Sequence, residues 1–280
     1  MSSYDLHTHS LASDGKFSPA ELVAQAAAAG IATLALTDHD STAGVAEAQA
    51  AAPAHGVRLI AGVEISVTWH DKTLHIVGLN LDPNFAPLQD GLALIQAIRA
   101  ERAREIGRRL AREGIPGAYE AAEALAGGGM ITRTHFARFL VNSYLAADVR
   151  DVFCRYLTKG KPGYVSSRWA ELGEALDWIK GAGGVAVLAN PQRYSLTHSW
   201  MRRMMAEFRE AGGESIEVVS GTGGPGDVQS SAEYARRFDL LASVGSDFHS
   251  PENVWPKLGK LVPLPAGLVP VWTVWEGSGG

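Results

Sequence analysis

The sequence predicts an α/β barrel that a helical segment interrupts. Strand-like and helical patterns alternate up to about residue 81, and strand-like segments return from about residue 183. The long stretch between them shows no clear strand. The polar residues able to do chemistry gather at the C-terminal ends of the predicted strands, where β/α folds place their active sites.

Each element follows from a local signal. Residues 4–9 read as a short strand. Residues 18–30 read as a helix: Ser18 is a candidate N-cap, Pro19 takes the first helical position, Glu21 completes a capping box and Gly30 ends it. Residues 31–40 form an apolar strand with a polar end. Residues 42–56 form a second helix with a breaker at Pro53, and 57–67 and 73–81 read as strands. Such alternation predicts parallel pairing. From 86 to 114 the chain is helical and rich in Arg, and more helices follow to about residue 158, with a loop at 127–130. Strands are expected at 183–191, 215–220 and 240–249, and helices at about 169–181, 198–211 and 228–238. The division expected is 1–84 for the first part of the barrel, 85–158 for the insertion, 159–276 for the second part and 277–280 for a flexible tail.

Composition narrows the class. The chain has 280 residues, 46% hydrophobic and 20% charged, which is ordinary for a globular protein and long enough for one barrel with an insertion. The single cysteine, Cys154, excludes an internal disulfide framework. Reduced, cytoplasmic surroundings are expected. No basic stretch followed by an apolar run opens the chain, and no apolar run is long enough to span a membrane. A net charge of −5 argues against a generally basic nucleic-acid binder, while a local basic patch stays open. No stable protein partner is evident.

The nine histidines are the informative residues. His7, His9, His39, His75, His135 and His249 sit where a metal site could use them, near the carboxylates Asp14, Asp38, Asp40, Glu64 and Asp247. Residues two apart on a strand share a face, so His7 and His9 can reach one ion, and Asp247 and His249 repeat that geometry. Closing a barrel brings its first and last strands together, so both pairs can meet at one rim. Imidazole and carboxylate donors without thiolate suit Mn, Zn or Fe and argue against a structural zinc site. More than four candidate ligands point to more than one ion. Glu64 could bridge a pair of the kind used to cleave phosphate esters. Taken singly, His55, His70 and His198 read as surface or packing residues, and Asp40 or Ser41 as a cap for the second helix. It is the co-occurrence of acid–histidine clusters at several strand ends that points to chemistry.

The motifs DLHTHSLASDG (5–15), LALTDHDS (34–41), GVEIS (62–66), LHIVGL (74–79) and VGSDFH (244–249) resemble those of the PHP (polymerase and histidinol phosphatase) family. The resemblance implies a distorted seven-stranded (β/α) barrel with a helical insertion, two or three divalent cations, and phosphoester hydrolysis. TRTHFARFL (132–140) and KGKPGYV (159–165) resemble a bacterial branch that removes the 3′-phosphate of nucleoside 3′,5′-bisphosphates, with relatives that trim short RNA from the 5′ end. Small nucleotides, and short oligonucleotides as an alternative, are the substrates this implies. By position, His7, His9, Glu64 and Asp247 resemble the ligands of one metal. Glu64, His75 and His135 resemble those of a second, and Asp14, His39 and His249 those of a third. His7, His9, Asp14, His39, Glu64, Asp247 and His249 then form the catalytic set, with manganese expected first and zinc or iron as alternatives. In one departure, Asn190 stands where the family usually has histidine, and Gln192 where glycine is common. An asparagine can contact a phosphate oxygen but cannot act as a general acid.

Arginine clamps suit the second phosphate of a bisphosphate. Candidates are Arg99, Arg102, Arg104, Arg108, Arg109, Arg133 and Arg193. The spacing of Glu101–Arg104, Glu105–Arg108 and Glu105–Arg109 equally allows a solvated face with local ion pairs. The resemblance favours Arg102 and Arg133 as substrate-binding residues, with Thr134, Asn190 and Arg193 beside them. Asp38, Asp40 or a third-site group could protonate the leaving oxygen. The glycine-rich segment 220–227 lacks the lysine of a P-loop and reads as a flexible loop. Trp69, Tyr164, Tyr194 and Phe248 are candidates for stacking a base, or packing residues. Histidinol-phosphate phosphatase, a 5′–3′ exonuclease on short RNA or DNA, and an inactive metal-binding scaffold are the alternative readings.

Overall fold

The structure, a computed structural model, describes residues 3–252 and 257–276. The expected tail at 277–280 lies outside them. Seven strands run in the spatial order β1 (Tyr4–Asp5), β2 (Thr33–Leu36), β3 (Arg58–Trp69), β4 (Lys72–Leu79), β6 (Val185–Leu188), β7 (Ser215–Ser220) and β8 (Leu241–Gly245). A further two-residue strand, β5 (Ala170–Glu171), pairs with β3. The ends meet: Leu6 N–H donates to the Val244 carbonyl at 3.0 Å, Asp247 N–H to the His7 carbonyl at 2.8 Å and His9 N–H to the Phe248 carbonyl at 3.0 Å. The sheet therefore closes into a distorted seven-stranded (β/α) barrel, as the resemblance implied.

The expectation of parallel pairing fails at one strand. β4 is antiparallel to both β3 and β6. Only His70 and Asp71 join β3 to β4. A parallel crossover needs a dozen or more residues, so so short a link can only make a hairpin. The strand expected at 4–9 is likewise broken into β1 and an isolated bridge at Thr8.

Helices cover the barrel. Helix α1 (Pro19–Ala28) carries the expected capping box, Ser18 accepting from Glu21 N–H and Glu21 accepting from Ser18 N–H. Helix α2 (Val45–His55) starts after Gly44 with no side-chain cap, so neither Asp40 nor Ser41 caps it. Leu6, Ala35, Ile60, Val77, Leu79, Val185, Val187 and Ala189 meet in one buried cluster with Val271 and Trp275. Residues from so many strands can meet only inside the barrel, and the C-terminal segment stoppers that end. Gly245 allows the close approach of the first and last strands, since a Cβ there would lie 2.3 Å from the His7 Cβ.

The insertion is helical: α3 (Ala86–Arg112), α4 (Ala118–Ala126), α5 (Arg133–Asn142), α6 (Val149–Val152) and a π-helical turn, Phe153–Leu157. It has its own core, in which Ala103, Ile106 and Leu110 meet Phe136, Leu140, Val152 and Leu157. The first half of α3 belongs to the barrel instead, through Leu88, Leu92 and Ile95. The same helix carries Arg99, which is buried. Its Nε donates to Asp40 Oδ2 at 2.5 Å and its Nη2 to Ser66 Oγ at 2.8 Å. Asp40 also accepts the Ser66 N–H at 2.6 Å. Arg99 is thus a latch between insertion and barrel, with its Nε and Nη2 donors committed to Asp40 and Ser66. Arg104, Arg108 and Arg109 pair with Glu101 and Glu105 on the helix surface.

Arg99→Met leaves the buried Asp40 carboxylate unpaired, which costs about 3–5 kcal/mol. Chemical denaturation should show a loss of that size. Adding Asp40→Asn, which keeps the acceptor for Ser66 and tolerates the left-handed backbone (φ 46°) there, should restore most of it. An unchanged midpoint for Arg99→Met would refute the latch.

Candidate metal centre

The predicted residues gather at one end of the barrel: His7 and His9 follow β1, His39 follows β2, Asp247 and His249 follow β8, Glu64 lies in the middle of β3 and His75 in the first half of the antiparallel β4. Glu64 lies at the centre, 1% exposed. Its Oε2 is 3.4 Å from both His7 Nε2 and His9 Nε2 and 2.8 Å from His39 Nδ1. Its Oε1 is 2.9 Å from His75 Nδ1. Asp247 Oδ1 lies 3.5 Å from His7 Nε2, 3.2 Å from His9 Nε2 and 3.6 Å from His249 Nδ1. Asp14 Oδ1 is 3.2 Å from His249 Nε2 and 4.0 Å from His39 Nε2.

Three overlapping groups have donor atoms close enough to share an ion: His9, Asp14, His39 and His249; His7, His9 and Glu64; and His39, Glu64 and His75. His7 Nε2, both His9 nitrogens, Asp14 Oδ1, His39 Nδ1 and Glu64 Oε2 are buried without a well-directed hydrogen bond among the described residues. Unpaired buried polar atoms are costly and few in native proteins. Here they converge, and nitrogen and oxygen donors together suit divalent cations. The residues therefore fit a divalent-metal centre.

His135 stands apart from these groups. Its Nδ1 accepts the Thr132 N–H at 3.0 Å and caps α5. A neutral imidazole that accepts at Nδ1 carries its proton on Nε2, so in this arrangement His135 offers no free lone pair. His39 stands in the group with Glu64 and His75 where the family pattern implied His135.

Charge explains the ionisation states. Burial alone would raise the Glu64 carboxyl, but the His39, His75 and His7 imidazoles hold it well below the usual range. Burial likewise opposes the charged form of Asp14, yet His249 and His39 keep it low. Against burial, Asp14 and Asp247 push His249 up to about 9. Burial, helped by His249, pushes His9 down to about 3. In the metal-free protein, protons on the imidazoles balance the carboxylates.

The surroundings hold these groups in place. Asp14 Oδ2 accepts from the Thr132 hydroxyl at 3.0 Å and the Thr134 hydroxyl at 2.9 Å, which leaves Oδ1 facing His249. Thr134 thus contacts a candidate ligand directly. Asp38 accepts from Ser10 N–H, Ser10 Oγ and Ser13 Oγ at 2.6–2.7 Å and braces the loop after His9. Asp40 is committed to Arg99. Neither carboxylate is free to protonate a leaving oxygen. Asp247 Oδ2 accepts from Arg193 at 2.7 Å and Asn190 Nδ2 at 3.1 Å. Asn190 is buried and Arg193 half-exposed. Sequence reading missed Glu217 and Asp5, both buried. Glu217 lies 3.1 Å from His7 Nδ1, and Asp5 accepts the Ser246 N–H at 2.8 Å. The available signal was an ionisable residue inside or beside an apolar strand.

A cleft of about 680 Å³ opens from Asp14, His39 and His75 and runs between the β3–β4 hairpin and the insertion. Arg102 and Arg133 line it together, with Tyr164 and Trp169. Arg102 lies over the Trp169 ring at 5.2 Å and Arg133 over Phe153 at 5.4 Å. Among the described residues neither guanidinium has a carboxylate within 4 Å, and Arg102 Nε is buried without a partner. Burial, then the neighbouring arginines, lower both from the usual arginine range. Of the other aromatic candidates, Phe248 is buried against Phe17 under α1 and α2. The Trp69 Nε1–H donates to Glu207. The Tyr194 hydroxyl accepts the His75 N–H and donates to the Ala189 carbonyl. These three are packing residues.

Such a centre, at the rim of such a barrel, defines a class. The PHP domain model matches residues 5–178, and the chain belongs to that family. It is 47% identical over 273 residues to the 3′,5′-nucleoside bisphosphate phosphatase of Chromobacterium violaceum, covering 97% of this chain and 96% of that protein. It is 45% identical over 275 residues to the 5′-3′ exoribonuclease Rnm of Escherichia coli, covering 98% and 94%. A solved structure from Chromobacterium violaceum, described as an amidohydrolase with bound sulfate and no metal, superimposes with a TM-score of 0.95 at 46% identity, covering 99% of this chain and 96% of that one. No helix among the described residues is long and apolar enough to cross a membrane.

Ligation requires deprotonated imidazole. His249, held protonated up to about pH 9 in the metal-free protein, should therefore release a proton when a cation binds at pH 7. The apparent affinity should rise with pH between 7 and 9. Calorimetric titration in two buffers of different ionisation enthalpy reads the proton directly. Identical heats in both would refute it.

Proposed function

We propose that the chain is a metal-dependent phosphatase that removes the 3′-phosphate of nucleoside 3′,5′-bisphosphates, leaving the 5′-monophosphate and phosphate. The observation that carries this is a single cleft with two poles for anions. One is the carboxylate–imidazole cluster, which would attract phosphate once it held cations, and the other is the pair Arg102 and Arg133, which have no carboxylate partner among the described residues. A nucleotide with two phosphates matches both poles, and the bisphosphatase relative at 47% identity supports it.

The residues divide the work. His7, His9, Glu64 and Asp247, His39 and His75, and Asp14 and His249 would hold the cations, with manganese our first expectation and zinc or iron the alternatives. Bound divalent cations lower the pKa of water and neutralise charge on phosphate oxygens. Arg102 and Arg133 bind the 5′-phosphate by charge-assisted hydrogen bonds and so fix the 3′-phosphate against the cluster. Asn190 and Arg193 hold Asp247 from its far oxygen, and Thr132 and Thr134 hold Asp14. The only cysteine, Cys154, is exposed on the insertion and takes no part.

A 5′–3′ exonuclease on short RNA cuts the same bond, between the 3′ oxygen and phosphorus, with a further nucleotide on the phosphate. The Rnm relative favours this as a second reading. Histidinol phosphate has one phosphate and a cationic amine, which the unpaired arginines would repel. The cluster is too complete for an inactive scaffold.

Manganese-loaded protein should convert adenosine 3′,5′-bisphosphate to 5′-AMP and phosphate, and His9→Ala should abolish this. Formation of 3′-AMP would reverse the polarity, and no turnover with manganese or zinc would refute the assignment. Arg102→Ala should lose a charged hydrogen bond of about 1.5–3 kcal/mol. That corresponds to a fall in kcat/KM for the bisphosphate of roughly 10- to 150-fold, with little change for 3′-AMP. An equal fall for both substrates would place Arg102 outside the 5′-phosphate site.

A further inference from the structure

Glu217 sits inside β7, 2% exposed, and the function proposed above does not use it. Its Oε2 lies 3.1 Å from His7 Nδ1 and accepts the Asn190 backbone N–H at 3.1 Å. Its Oε1 is buried with no hydrogen-bond partner among the described residues. Keeping half a carboxylate unpaired in a barrel interior is unfavourable, and an apolar residue would fill the space at lower cost. The position of the group accounts for it. A neutral imidazole has one ring proton to place. In the neutral ring that a cation requires, a carboxylate at Nδ1 puts it there and leaves the Nε2 lone pair on the side of Glu64 and Asp247. His7 Nε2 is the buried, unpartnered atom on that side.

The same carboxylate reaches Asp247. Asn190, whose N–H rests on Glu217, accepts from Ser220 Oγ at 2.7 Å through Oδ1 and donates through Nδ2 to Asp247 Oδ2. That leaves Asp247 Oδ1 facing His7 and His9. Asn190 thus accepts from Ser220 and donates to Asp247 at the same time, which the two ends of an amide allow.

We propose that Glu217 is a positioning residue of the metal centre: it fixes His7 with its proton on Nδ1 and, through Asn190, turns Asp247 Oδ1 toward the same ion. This rests on reading the cluster as a metal centre, and the test separates the two. Zinc content and affinity of the unsubstituted protein test the centre, and finding no tightly bound zinc would overturn both. In zinc-loaded, ¹⁵N-histidine-labelled protein, His7 should show a protonated Nδ1. Glu217→Leu should bind at least one equivalent of zinc about 10- to 100-fold more weakly, with metal-free unfolding monitored alongside. Glu217→Gln keeps an acceptor oxygen, so it should preserve the Nδ1–H form and stay within about threefold of the unsubstituted affinity, well inside that range. Should the Leu variant not fold, the ring protonation in Glu217→Gln decides. Full zinc affinity in Glu217→Leu, equal weakness in both variants, or a His7 protonated at Nε2 would overturn the proposal.

Discussion

One buried carboxylate, Glu64, organises the rim. It stands almost without exposure among four imidazoles, with both oxygens turned toward them. An ionised carboxylate so far from water persists only if positive charge surrounds it. In the metal-free protein, protonated histidines supply that charge, and cations would supply it in their place. Protons and metals therefore compete for one set of donors. The groups that orient the donors, Glu217 behind His7 and the two threonines behind Asp14, decide which atoms remain free.

The backbone at the rim reflects the same demand. Asp40, Asn190 and Asp247 all adopt left-handed conformations, with φ of 46°, 43° and 56°. Side chains other than glycine rarely do so, and Asn and Asp tolerate it best. Each of the three turns a polar side chain across the barrel end: Asp40 to Arg99, Asn190 to Asp247, and Asp247 to His7 and His9. Local strain of this kind persists where surrounding structure over-determines it. The insertion takes part, since α3 is anchored in the barrel core by Leu88, Leu92 and Ile95 and latched by Arg99. That anchorage places Arg102, three residues further on, over the cleft.

Much of the fold was legible because its signals are local. The capping box of α1, the buried runs of β2 and β6 and the strand-free insertion all follow from neighbours in sequence. The antiparallel β4 was missed because apolar alternation carries no direction; the two-residue link to β3 decides it. Strain at Asp40 and the partner of Arg99 were illegible for the same reason, since Ser66 and Arg99 lie on separate elements.

The sequence by itself determined the chemistry available: imidazoles and carboxylates at strand ends, a lone thiol, and arginines on an inserted helix. Periodicity and strand-end position suffice for that, because they depend on residues a few places apart. Only the tertiary structure decided which donor faces which. It joined His39 to Glu64 and His75, turned His135 to cap a helix, spent Arg99 on Asp40 and left Arg102 with no carboxylate partner among the described residues. It also brought Glu217 to His7 across a gap of 210 positions. Hydrogen bonds and ion pairs act over a few ångströms of space, and barrel closure, not spacing along the chain, sets those distances.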